Sequence, residues 1–197
     1  MDNHGNRLKI ITANEIEELY DLPRFTDEER NLYFSLSPLE HDVLKDLRTT
    51  QSKVHFILLL GYFKAKRMFF VLISDRITDD IYYVCQRYFP DVPQFPNIQV
   101  TSPTRFAQQT CILKLLGYRD CTKEIKESLY KKASHLATIF TKPIYVFKEL
   151  ITYLENQRIV IPPYGFLQDL VGKVLTEEKS RLETVIMQNT TEEIRAA

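Results

Sequence analysis

Gln51 to Arg67 reads QSKVHFILLLGYFKAKR, and this stretch decides the fold. Val54, Ile57, Leu58, Gly61 and Tyr62 recur at steps of three and four, the spacing of one buried helix face. Phe56, Leu59, Leu60 and Phe63 fill much of the remaining circumference, so the pattern predicts a helix enclosed on most sides. Lys64, Lys66 and Arg67 follow the last apolar turn, where cations suit the negative end of a helix dipole. The expected organising element is therefore an apolar helix that delivers three cations to the surface.

Helix starts lie on both sides of it. Thr12 or Asn14 caps a short helix to Tyr20, which Pro23 ends. Thr26-Asp27-Glu28-Glu29 and Ser37-Pro38-Leu39-Glu40 each place a capping hydroxyl three residues before a glutamate. They predict helices near 27–35 and 38–48. Phe69 to Ile73 (FFVLI) is too short for periodicity to separate strand, connector and helix edge. A helix follows from Asp75 or Thr78 to Tyr88. Pro90, Pro93, Pro96 and Pro103 mark a loop over 90–103 and the best internal boundary.

Ser102-Pro103 opens a helix to Leu116, with Gly117 at the left-handed capping position. Thr122 caps the next helix, whose buried stripe is Ile125, Leu129, Leu136 and Phe140. A further helix runs from Pro143 to Asn156. The last runs from Tyr164 or Phe166 toward Gln188, its apolar side interrupted between Glu177 and Glu183. The fold class is thus all-α, a multi-helix domain with helix-turn-helix-like elements and a long C-terminal helix. The expected division is 1–163, with a subdomain boundary at 90–102, followed by a C-terminal helical segment over 164–197.

The 197 residues are 44% hydrophobic and 26% charged, ordinary for a globular chain. Three cysteines without a CxxC pair argue against a disulfide framework or a zinc site. The opening residues lack an apolar leader segment, and no apolar run approaches the ~20 residues of a membrane span. A cytoplasmic protein is expected, with no membrane partner. Net charge is zero, but it is segregated. Residues 1–46 carry five bases and eleven acids, whereas 47–74 carry five bases and no acid. Residues 97–148 carry nine bases and three acids. Such blocks build a phosphate-binding face with a repelling back, or merely a solvated surface.

Catalytic patterns are missing. His4, His41, His55 and His135 show no metal-ligand spacing, and neither a GxSxG nor a Gly-rich phosphate loop occurs. Cys111 reads as a buried filler and Asp79-Asp80 as a helix start. No enzyme, metal or cofactor is expected. A nucleic-acid reading fits better. Arg105, Gln108 and Gln109 share one side of the helix that opens at Ser102, and these residue types read guanine and adenine in a major groove. Tyr164 and Gln168 start the second helix of a helix, seven-residue turn, helix arrangement and are further base-contact candidates. Lys64, Lys66, Arg67, Lys123, Lys126 and Lys131 are the phosphate-contact candidates.

Four stretches taken in order add a resemblance. They are LYDLPRFTDEERNLYFSLS (19–37), LLLGYFKAKRMFF (58–70), TRFAQQTCILKLLGYRDC (104–121) and LITYLENQRIVIPPYGFLQDLVGKVL (150–175). Together they resemble the N-terminal region of the large replicative bacterial transposases of the Tn-three family, which form cointegrates. The resemblance implies a helical region that binds double-stranded DNA at the terminal inverted repeats of the element. It implies that strand transfer belongs to a separate ribonuclease-H-like domain lying outside these residues. It further implies a bacterial, nucleoid-associated setting and a partnership with the rest of a transposase or with a full-length protomer. The alternative is a helical interaction or oligomerisation module, a truncated transposase acting as regulator without direct DNA contact.

Overall fold

The computed structural model describes residues 8–92 and 97–189. Those residues form nine α-helices and no strand. The helices are α1 (Ala13–Tyr20), α2 (Asp27–Tyr33), α3 (Pro38–Asp46), α4 (Thr50–Lys66), α5 (Thr78–Tyr88), α6 (Ser102–Leu116), α7 (Lys123–Ile139), α8 (Pro143–Asn156) and α9 (Tyr164–Asn189). One 3₁₀ turn, Ser74–Arg76, precedes α5. The fold is all-α, as expected. No helix of the described residues is long and apolar enough to cross a membrane.

Local chemistry sets the helix starts. Thr26 Oγ1 accepts from the Glu29 amide, and the Glu29 carboxylate accepts from the Thr26 amide at 2.8 Å. Ser37 and Glu40 repeat this reciprocal cap at the start of α3. Thr12 and Glu15 do the same for α1, which settles the choice between Thr12 and Asn14. Thr101, not Ser102, caps α6, so Pro103 occupies the second helical position. Phe69 to Ile73 is an extended connector, with Val71 and Ile73 exposed and Phe70 and Leu72 half-buried.

The chain divides into two compact units. Of the described residues, the first comprises 8–17, 121–157 and 161–189, and the second 18–92, 97–120 and 158–160. This differs from the expected division in two ways. The proline-rich loop 90–102 is no boundary, because α6 packs on α4 within the second unit. Of that loop, 93–96 lie outside the described residues. Nor is α9 a separate segment, since it packs against both α7 and α8; the rest of the expected segment, 190–197, lies outside the described residues. The physical cause is its first half, where Leu167, Leu170, Val171 and Val174 are all buried.

In the second unit, α4 is the axis. Every residue from Val54 to Phe63 is buried, as its all-round apolar sequence requires. Full burial of each large apolar side chain contributes roughly 1.5–3 kcal/mol, so this run outweighs any single polar contact described below. Gly61 permits the closest approach. A Cβ there would overlap the Phe34 ring and lie 3.2 Å from the Tyr33 carbonyl oxygen. Phe34 in turn packs edge-on against Tyr62 and Phe25. In the first unit, α7, α8 and α9 enclose an apolar core of Leu129, Ala133, Leu136, Val146, Phe147, Leu150, Leu154, Leu167 and Val171.

Candidate nucleic-acid interface

The basic end of α4 is split between two jobs. Lys64 is only 21% exposed and meets the Glu40 carboxylate at 2.8 Å, with a second bond to the Ser35 carbonyl oxygen. Glu40, 5% exposed, is also the capping glutamate of α3. Lys64 therefore neutralises a buried acid and joins α4 to α3. This corrects its assignment as a phosphate contact. Lys66, half-buried, donates to the Glu18 carbonyl oxygen and is likewise engaged within the unit. Arg67 is different. It ends α4 in the left-handed conformation (φ 57°) and has no carboxylate partner among the described residues.

On α6 the side chosen from the sequence is the side turned toward α4. Gln108 is 3% exposed. Its amide nitrogen donates to the Ser52 carbonyl and hydroxyl oxygens, each at 2.9 Å, and its amide oxygen lies 2.6 Å from His55 Nδ1. With the amide assigned this way, His55 Nδ1 carries the proton. Gln108 is a core residue, which corrects its assignment as a base contact. Burial lowers the His55 pKa from its ordinary value; the Gln108 hydrogen bond opposes this shift and Arg105 reinforces it. Arg105 and Gln109 sit half-buried at the edges of this interface. The Arg105 guanidinium lies 5.7 Å from the Phe106 ring centroid, and Phe106 is itself 61% exposed.

The outward face of α6 thus carries Phe106, Ala107, Thr110 and Lys114, together with the edge residue Arg105. The helix contains no acid. Sequence reasoning passed over Phe106, Thr110 and Lys114. The signal that would have found them is the complementary polar pair Ser52 and His55 on α4, which marks the Gln108 side of α6 as inward.

In the first unit the lysine assignments keep their exposure. Lys123, Lys126 and Lys131 are exposed along α7. Lys126 stands 5.3 Å from the Phe166 ring and Lys173 4.7 Å from the Tyr130 ring, so their stems cover aromatic surface while their charges stay in water. Glu127 and Asp169 line the same cleft, and Tyr130 donates to Glu177 at 2.6 Å. The face is mixed rather than purely basic. Tyr164 packs edge-on against Phe147, and Gln168 donates to the Leu8 carbonyl oxygen at 2.9 Å. Both are half-buried and make these contacts within their unit. The seven-residue turn 157–163 between α8 and α9 is as expected.

One further basic residue was missed. Arg158 adopts the left-handed conformation (φ 50°). A two-bond bridge holds it, from the Arg119 amide to the Arg158 carbonyl (2.8 Å) and from the Val160 amide to the Arg119 carbonyl (2.9 Å). It lines a groove of about 420 Å3 with Leu32, Tyr33, Lys64, Arg67, Leu116 and Tyr118. Arg67 and Arg158 are the two non-glycine residues with positive φ among those described, at about 1–2 kcal/mol of backbone strain each.

Residues 10–174 match the model of a protein family described as a domain of unknown function, DUF4158. The chain belongs to that family. The DUF4158 match takes in α1 to α8 entirely, α6 and its exposed face included, and reaches Val174 in α9. No curated protein matches the sequence. Within this DUF4158 domain, the buried Arg30–Asp80–Tyr62 cluster is a structural unit. Arg30 Nε meets Asp80 Oδ1 at 2.7 Å, and Tyr62 donates to the other carboxylate oxygen. Burial first, and then the adjacent Asp80 carboxylate, pushes the Tyr62 pKa far above its ordinary value. This cluster ties α2, α4 and α5 together and gives Asp80 a structural counterion.

Proposed function

We propose that this DUF4158 domain binds duplex DNA at the ends of a mobile element, as the N-terminal module of a replicative transposase resembling the Tn-three family. The observation that carries the reading is α6, an acid-free helix whose outward face presents Phe106, Thr110 and Lys114, with the half-buried Arg105 guanidinium 5.7 Å from the exposed Phe106 ring centroid. The Gln108–His55–Ser52 cluster fixes the rotation of that helix on α4, as a recognition element requires. Arg105 would contact guanine edges and Lys114 the backbone, with Gln109 reaching past its half-buried stem. Lys123, Lys126 and Lys131 on α7 would neutralise phosphates.

Selection from randomised duplexes with the full chain tests this. A recurring sequence is expected, and Arg105→Ala with Gln109→Ala should reduce preference for it more than it reduces binding to random duplex. Equal losses on both would assign α6 to backbone contact, and no retention of any duplex would end the reading. One observation favours the second reading, an interaction module. Beyond Val174 no described residue of α9 with a defined side chain is buried, and Leu182 is exposed there. That reading predicts a dimer or larger in light scattering, and no DNA retention at low salt.

A further inference from the structure

The groove at the far end of α6 joins four chain segments that are remote in sequence, with Leu32 and Tyr33 of α2 on one side. Arg67 comes from the end of α4, Tyr118 from the turn after α6, and Arg158 from the bridge that follows α8. Arg67 Cζ lies 5.9 Å from the Tyr118 ring centroid. Arg158 Nη1 lies 3.2 Å from where a Cβ would stand on Gly117, so glycine leaves room for the guanidinium at that turn. Gly117 itself has φ 68°, the conformation that favours glycine. No acid lines the groove. Lys64 is there too, but its charge is cancelled by Glu40; the two guanidinium groups have no carboxylate partner among the described residues, and Arg67 spends one nitrogen on the Phe63 carbonyl oxygen.

Left-handed positions at helix ends ordinarily fall to glycine, which has no Cβ to crowd the backbone, or to asparagine, whose short polar side chain can hydrogen-bond locally. Here both are arginine, and both open on the same groove. The negative ends of α4 and α6 account for some attraction to cations. They do not account for two planar donors around one open, acid-free space, which is the arrangement that receives a tetrahedral anion in a bidentate manner.

We infer that Arg67 and Arg158 form a seat for a backbone phosphate of duplex DNA, with Tyr118 as its wall. The inference rests on the DNA-binding reading and adds a contact which that reading does not contain. Arg105 and Leu116 are eleven residues apart on α6, close to three full turns, so Arg105 and the groove lie on the same side of that helix. Their separation along the axis is roughly 17 Å, about five base-pair steps of duplex. The seat would therefore grip the backbone about half a helical turn from the bases that α6 approaches.

The test is the salt dependence of duplex binding by the full chain, compared with Arg67→Gln/Arg158→Gln. The slope of log K against log salt should become shallower by about 2, as expected for two lost phosphate contacts. Arg67→Lys/Arg158→Lys should keep the wild-type slope, and a loss equal to that of the glutamine pair would assign the effect to the backbone and overturn the inference. Should the glutamine pair fail to fold, Leu32→Glu decides. Leu32 is 66% exposed at the rim, so the change adds a carboxylate to the groove without disturbing the core. It should weaken binding at least tenfold at low salt. Unchanged slope and affinity in both variants, with wild type still binding, overturn the phosphate seat and leave the DNA-binding reading standing. No binding by wild type removes both.

Discussion

The two units use the same kind of residue in opposite ways. In the second unit cations hold helices together. Lys64 joins α4 to the buried Glu40 of α3, and Arg30 joins α2 to the buried Asp80 of α5. In the first unit the core is apolar, and Lys123, Lys126 and Lys131 of α7 stay exposed, Lys126 over the Phe166 ring. A basic block in a sequence therefore carries two meanings. Beside an enclosed helix it supplies counterions to acids trapped in the same core. Along an amphipathic helix it forms a charged surface.

The largest expected effect separates these meanings. Lys64→Met leaves the Glu40 carboxylate buried without its counterion and should lower stability by about 3 kcal/mol in urea denaturation. Lys64→Met with Glu40→Leu should recover most of it, because the pair then leaves together. A stable Lys64→Met protein with weakened DNA binding would return Lys64 to the surface role. Next comes Gly61→Ala, whose methyl would overlap the Phe34 ring. About 2 kcal/mol of destabilisation is expected from overpacking, and a neutral result would contradict the close approach of α4 to Phe34.

Gln108→Ala removes the partner of His55 and of Ser52, for about 1–2 kcal/mol and no change in DNA sequence preference. The same cluster has a pH signature. Because burial lowers the His55 pKa in the folded chain, the unfolded chain takes up that proton first as pH falls. Its contribution is complete above about pH 6.5 and is lost as pH drops below that value. Subtracting the stability profile of His55→Gln from that of wild type should isolate this fall, and parallel profiles would contradict it. The smallest stability effect belongs to Lys123→Gln, Lys126→Gln and Lys131→Gln, each within about 0.5 kcal/mol. Together they should make the DNA salt slope shallower by about 2.7.

Much of this fold is legible in the residues alone. The reciprocal caps at Thr26–Glu29 and Ser37–Glu40, the enclosure of Val54 to Phe63, and the stop at Gly117 follow from local rules. The roles of single polar residues do not. Glu40 is fully explained as a cap, so nothing local announces that it also receives Lys64. Gln108 looks like a surface amide until α4 is known to present Ser52 and His55 opposite it. Arg158 reads as part of a plain turn, since its place beside Arg67 depends on a bridge to Arg119 thirty-nine positions earlier. The prolines of 90–103 signal an irregular connection, yet a connection can remain within one unit when the helices on either side share a core. Here Ile112 of α6 is buried with α4 in that core.

The most direct test of the central claim is an equilibrium titration of the full chain with a thirty-base-pair duplex across a range of salt concentrations. With Lys114, Lys123, Lys126, Lys131, Arg67 and Arg158 each meeting a phosphate, log K should fall against log salt with a slope of about −5.4. Binding that is absent at the lowest salt, or that does not change with salt, would contradict the claim.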